Sequence, residues 1–135
     1  MNDMKTTSAA SLGQEIDTKA YVLKKDKYGI FHKCIKTDAH IDLKEVKSSD
    51  KICLAMNDGK KILTLIDARN FHSHTPEALK YLKDAHNSFR KATAVVSSVL
   101  SEKITVNYVK GKAPVKIFHT ENEAVKWLMG FRQKP

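Results

Sequence analysis

The residues Ile62-Leu63-Thr64-Leu65-Ile66-Asp67 are followed by Ala68-Arg69-Asn70-Phe71-His72-Ser73-His74 and then by Thr75-Pro76-Glu77-Ala78. A short apolar run ending in Asp is the pattern of a strand covered on both faces. Thr-Pro-Glu is a helix start: Thr as N-cap, Pro at the first helical position, Glu against the positive end of the dipole. The polar loop between them lies at the carboxyl end of a central strand. Open α/β sheets bind ligands or partners at that edge. The candidate binding residues are therefore Asp67, Arg69, Asn70, His72, Ser73, His74 and Thr75.

Working outward, Tyr21-Val22-Leu23-Lys24-Lys25-Asp26 and Ile30-Phe31-His32-Lys33-Cys34-Ile35-Lys36 are two strands joined through the turn-like Asp26-Lys27-Tyr28-Gly29. In the second, Phe31, Lys33 and Ile35 share one face and Ile30, His32 and Cys34 the other, so the pattern does not say which is inside. Asp42 with Glu45 three residues on is a box-like helix start. Leu43, Val46, Cys53 and Met56 fall on one helical face. Ser48-Ser49-Asp50 weakens its middle, and Gly59 ends it as a left-handed cap. The edge strand Tyr21 to Lys25 ends in lysines, which discourages edge-to-edge pairing.

Downstream, a helix is expected from Pro76 to about Arg90 and a β-branched strand from Ala92 to Leu100. Ser101 to about Val109 fits a short helix or, through Ile104, Val106 and Tyr108, a strand. Val115 to Phe118 is a last strand. Thr120-Glu121-Asn122-Glu123 is a capping box for a last helix carrying Ala124, Trp127 and Leu128. The alternation predicts an α/β fold with right-handed crossovers, parallel strands, an antiparallel hairpin at one edge and about four helices.

The 135 residues fit one domain, with residues 1–18 expected as a flexible tail and 19–135 as the folded unit. No apolar run approaches the ~20 residues of a membrane span. The amino-terminal segment lacks the apolar stretch of a signal peptide, so a cytoplasmic location is expected. Cys34 and Cys53 fit reduced, buried small hydrophobes better than a disulfide. Net charge is +9 and uneven: residues 1–67 carry 12 basic and 10 acidic side chains, residues 68–135 carry 12 and 5. Such a balance suggests an acidic partner, an anionic ligand or an anionic membrane surface. Nucleic acid is disfavoured, because Lys dominates, Arg occurs only at Arg69, Arg90 and Arg132, and no recognised motif is present.

Enzyme chemistry has no constellation to stand on. There is no nucleophile elbow and no Gly-rich phosphate loop. Asp67 beside Arg69 reads as a structural pair before it reads as an acid/base set. His72 and His74, with His40 or His119, lack the Cys or acidic residues that would complete a metal site, so neither metal nor cofactor is expected.

Three segments together resemble the STAS-like domains, the anti-sigma-factor-antagonist fold whose superfamily includes the CRAL-TRIO lipid carriers. They are Ile62 to Asn70, Thr75 to Ala78, and Val115 to Leu128, and the resemblance spans about residues 20–130. It implies a non-enzymatic regulatory module that binds a protein partner through residues 67–83. In the antagonists, an Asp-Ser-Ser-Gly-type turn opens the helix, and its Ser is phosphorylated. Here His72-Ser73-His74-Thr75-Pro76 occupies that region without the signature. Ser73 or Thr75 would be the phosphorylated position, and a phosphate there would face a helix N-terminus. The alternative that the resemblance implies is a small apolar or lipid-like ligand held near Leu79, Leu82, Phe89 and Tyr108. A homodimer through helix faces is left open.

Overall fold

A computed structural model of the chain describes residues 15–97 and 113–132, with only the backbone for 83–88. In chain order the elements are β1 (Glu15–Asp17), β2 (Tyr21–Lys25), β3 (Ile30–Ile35), β4 (Ala39–Ile41), α1 (Leu43–Met56), β5 (Ile62–Asp67), β6 (His72–His74), α2 (Pro76–Ser88), β7 (Arg90–Val96), β8 (Val115–Phe118) and α3 (Glu121–Met129).

Every residue of β5 from Ile62 to Ile66 is buried. Its neighbours β3 and β7 both run parallel to it. The main sheet has the order β1-β2-β3-β5-β7-β8, with β1, β2 and β3 antiparallel in succession and the rest parallel. This is the expected mixed, mostly parallel sheet with an antiparallel hairpin.

Side chains alternate along the strands and divide the core in two. Tyr21, Leu23, Phe31, Ile35, Ile62, Ile66 and Val95 pack with Val46 and Cys53 of α1 and with Ala78 and Leu82 of α2. On the other face Ile30, Leu63, Leu65, Ala92, Ala94 and Val96 pack with Ala124 and Leu128 of α3. Both faces of β3 are therefore inside, which is why neither looked cleanly polar in sequence. Both cysteines are free, with Cys53 buried and Cys34 partly so.

The helix starts follow their sequence signals. The Asp42 carboxylate accepts from Glu45 N at 2.9 Å, Thr75 Oγ1 from Ala78 N at 3.1 Å and Thr120 Oγ1 from Glu123 N at 3.2 Å. After α1, Asp58 and Gly59 both take positive φ (54° and 77°), the left-handed exit that glycine accommodates without a Cβ penalty.

Four expectations are corrected. Glu15–Asp17, assigned to the tail, form a strand paired to β2, so Tyr21–Lys25 is covered on that side rather than being the edge. Arg90, assigned to a helix end, opens β7 and is buried. His72–His74, assigned to a loop, pair in parallel with Ala39–Ile41 as a separate two-stranded sheet. Three helices, rather than about four, stand among the described residues; the Ser101–Val109 segment lies outside them, as do residues 98–100 of the predicted strand.

Candidate functional site

The loop after β5 is divided between two neighbourhoods. Asp67 and Arg69 turn toward the start of α3. Asp67 Oδ1 accepts from Arg69 N at 3.2 Å and from Arg69 Nε at 2.9 Å, while Oδ2 accepts from the Arg69 terminal nitrogen at 2.7 Å. This two-pronged pair matches guanidinium to carboxylate. The Arg69 hydrogen bonds hold the Asp67 carboxyl below the usual carboxylate range, and the same bonds raise the guanidinium further. Glu121 lies 3.9 Å from Arg69 and 4.0 Å from His32 Nδ1, and His32 Nε2 lies 2.8 Å from Asp26 Oδ2. A groove of about 410 Å3 opens here between the β2–β3 hairpin and α3, lined among others by Tyr28, His32, Glu121 and Met129.

The remaining residues face β4. Asn70 Nδ2 donates to Ile35 O at 2.9 Å, and His72 Nδ1 donates to Asn70 O at 2.7 Å. Asp38 N donates to Phe71 O at 2.7 Å, and Thr75 N to Ile41 O at 2.9 Å. His40 Nδ1 and Ser73 Oγ share a 2.7 Å hydrogen bond. The His72 and His74 rings meet edge to face at 5.3 Å. Burial first, then the neighbouring His72 and His40, pushes His74 down to about 4.

The seven predicted residues thus run from the end of β5 through the connecting loop and β6 without forming one cluster. Thr75 has the cap geometry read from Thr-Pro, and Ser73 is an exposed hydroxyl beside an imidazole. Phe71 was not among the predicted residues. It is 76% exposed, on a backbone anchored at Asn70, Phe71 and Thr75. Its signal was an aromatic side chain inside an otherwise polar loop. Among the described residues, no group of three or more His, Cys, Asp or Glu is placed to hold a metal ion.

Two of the residues named for an apolar ligand, Leu79 and Leu82, lie at the core between the sheet and the helices. Leu82 belongs to the buried cluster, Leu79 and Tyr81 pack against it, and the Phe89 ring lies 6.4 Å from Tyr81. Tyr108 lies outside the described residues.

A second feature was missed in sequence. Lys33 of β3, Asp50 of α1 and Arg90 of β7 are each 1% exposed and meet between the sheet and the helices. Asp50 Oδ1 accepts from Lys33 Nζ and, at 3.0 Å, from the Arg90 guanidinium. Lys33 also donates to Ser49 Oγ at 3.1 Å. Burial alone would raise the Asp50 carboxyl, but the two cations override it and hold it well below its ordinary range. Burial lowers Lys33 although Asp50 opposes it. Burial and the Asp50 charge push Tyr81 up to about 12.

The sequence profile of a family described as "Domain of unknown function (DUF7793)" matches residues 24–132. The chain belongs to that family. The DUF7793 match takes in most of the first core cluster, all of the second and the whole loop after β5. A crystal structure of an uncharacterized protein of the DUF3478 family from Shewanella loihica PV-4, described as having a SpoIIAA-like fold, superposes with a TM-score of 0.58. The two share 17% identity over 87% of this chain and 99% of that one. At that identity the likeness establishes the fold: this DUF7793 chain has the STAS-like, SpoIIAA-like architecture. A search among curated proteins found no match. No helix among the described residues is long and apolar enough to cross a membrane.

Proposed function

We propose that the chain is a non-enzymatic regulatory binding module of STAS type, engaging a protein partner through residues 67–83. The observation that carries this reading is Phe71, a large aromatic side chain 76% exposed on an anchored loop. Interface hot spots are rich in aromatic anchors presented on surfaces that need little ordering to bind. The Asp67–Arg69 pair, the Asn70 bond to Ile35 and the β4–β6 pairing supply that ordering in advance.

Lys80, in the same 67–83 segment, is exposed, and its positive charge suits an acidic partner. Of the two candidate modification sites, Ser73 fits better. Its hydroxyl is exposed, whereas Thr75 Oγ1 is the cap acceptor of α2. A phosphate on Ser73 would bring negative charge to the surface that selects an acidic partner, and would release it.

The test is co-purification from cells with the wild type, Phe71→Ala and Lys80→Glu. Both substitutions are at exposed positions, so circular dichroism and thermal unfolding are expected to be unchanged. The reading expects partner recovery to fall by about tenfold or more with Phe71→Ala, the size of a hot-spot truncation. Undiminished recovery with both variants overturns it.

A further inference from the structure

Helix α1 carries three carboxylates, one at its cap and two within it, and the fold engages each of them on the protein side. Asp42 caps the helix by accepting from Glu45 N. Glu45 Oε1 accepts from Ala20 N at 3.1 Å. Asp50 is buried between Lys33 and Arg90. What is left facing outward is Lys44, Lys47, Ser48 and Lys51, all exposed. These residues, with Leu43, line a groove of about 480 Å3.

Among the described residues, none of the three lysines is within ion-pair distance of a carboxylate. Lys47 lies over the Tyr81 ring at 5.9 Å, so the stripe runs beside α2. At 1.5 Å per residue, the three ammonium groups are spread over about 10 Å along one helix face.

We infer that this face of α1 is a docking site for a carboxylate-rich protein helix. It is a second surface of the binding module proposed above, separate from the Phe71 loop. The lysine spacing of three and four residues is the spacing at which a neighbouring helix displays carboxylates at i, i+3 and i+7. Ser48 between the lysines is small and lets a partner backbone approach. Lysine, as a strongly hydrated point charge, suits carboxylates without demanding the two-pronged geometry of arginine.

A membrane surface fits less well, since docking there needs apolar side chains to enter the lipid. The exposed large hydrophobic residues among those described, Phe71 and Met129, lie on the β5–β6 loop and on α3, not on this stripe. Single-stranded nucleic acid is bound through aromatic platforms for its bases, and the stripe's exposed residues include no aromatic.

The probe is a fluorescein-labelled helical peptide with glutamates at i, i+3 and i+7, titrated with the full chain and followed by fluorescence anisotropy. A peptide of the same sequence with glutamines is the control. The wild type is expected to bind the glutamate peptide and to lose affinity as salt rises, because exposed charges are screened. The Lys44→Glu/Lys47→Glu/Lys51→Glu variant is expected to lose about tenfold or more, by replacing attraction with repulsion. Lys44→Gln/Lys47→Gln/Lys51→Gln should lose less, without introducing repulsion. Lys24→Glu/Lys126→Glu, on the opposite face, and Phe71→Ala should bind as wild type.

Equal binding of the glutamine peptide, no binding of the glutamate peptide, or binding untouched by both stripe variants overturns the inference. So does stripe-dependent binding of a short RNA or of phosphatidylserine vesicles in preference to the peptide. A stripe-dependent self-association in place of peptide binding does the same. Loss of co-purification with Phe71→Ala bears on the loop alone, so the two surfaces fail independently.

Discussion

Asp50 and Asp67 each bind an arginine, and the two pairs do opposite work. Asp50, with Arg90 and Lys33, is 1% exposed; in the other pair the side-chain exposures are 18% for Asp67 and 45% for Arg69. Within the core, removing charges from water costs several kcal/mol per ion, so the partners must stay together. At the surface the same chemistry contributes about 1 kcal/mol or less and serves to shape a loop. The buried triad fixes where α1 sits; the surface pair fixes how the loop beside it is presented.

The contrast breaks most visibly at Asp50. Asp50→Ala leaves two buried cations facing each other and is expected to cost about 3–5 kcal/mol, read as a lower midpoint in urea unfolding. A loss below about 1 kcal/mol would mean that the triad is solvated in solution.

His74 is an intermediate case, half-buried in the β4–β6 sheet. Its folded pKa, about 4, lies below the unfolded value near 6.5, so the folded state binds fewer protons. Its stabilising contribution is therefore complete above about pH 6.5 and is lost as pH falls toward 4, by about 2–3 kcal/mol. The Asp50 and Asp67 carboxyls are held below their ordinary range and titrate further into acid. His74→Gln is expected to flatten the pH 6.5–4 limb of the unfolding midpoint; an unchanged limb would assign it to other groups.

Asp67→Ala removes three hydrogen bonds to Arg69 from a partly exposed site and is expected to cost about 1 kcal/mol. Faster amide exchange should be confined to residues 68–74; exchange spreading into β5 would show that this pair, too, holds the core. Arg69→Ala sharpens the comparison with the smallest change, about 0.5 kcal/mol or less, because the lost ion pair is solvent-screened. A loss as large as that of Asp50→Ala would erase the distinction between the two pairs.

Much of the fold was legible because its signals are local. Ile62–Ile66 declared a doubly covered strand; Asp42 and Thr120 declared helix starts through the glutamate three positions on, and Thr75 through the Pro-Glu that follows it. The misses are non-local. Glu15–Asp17 is short and polar, and only pairing with β2 makes it a strand. His72–His74 becomes a strand because Ala39–Ile41 lies beside it. Ser49 and Asp50 looked like a flaw in the apolar face of α1, yet both are buried, since Lys33 and Arg90 come from distant strands to meet them. Of the candidate site, residues 67–75 were placed at the correct sheet edge. Their division between α3 and β4 depends on contacts that no local spacing encodes.

The triad also imposes an order on assembly. Lys33 and Asp50 are 17 residues apart, but Arg90 follows Asp50 by 40. During synthesis the first two emerge while the third is still absent, and β7, which carries it, has not yet joined the sheet. Helix α1 can touch β3 early but reaches its final seat only when the third charge arrives. The closing of the α1 side of the molecule is thus a late step, gated by a strand that begins 40 residues after Asp50.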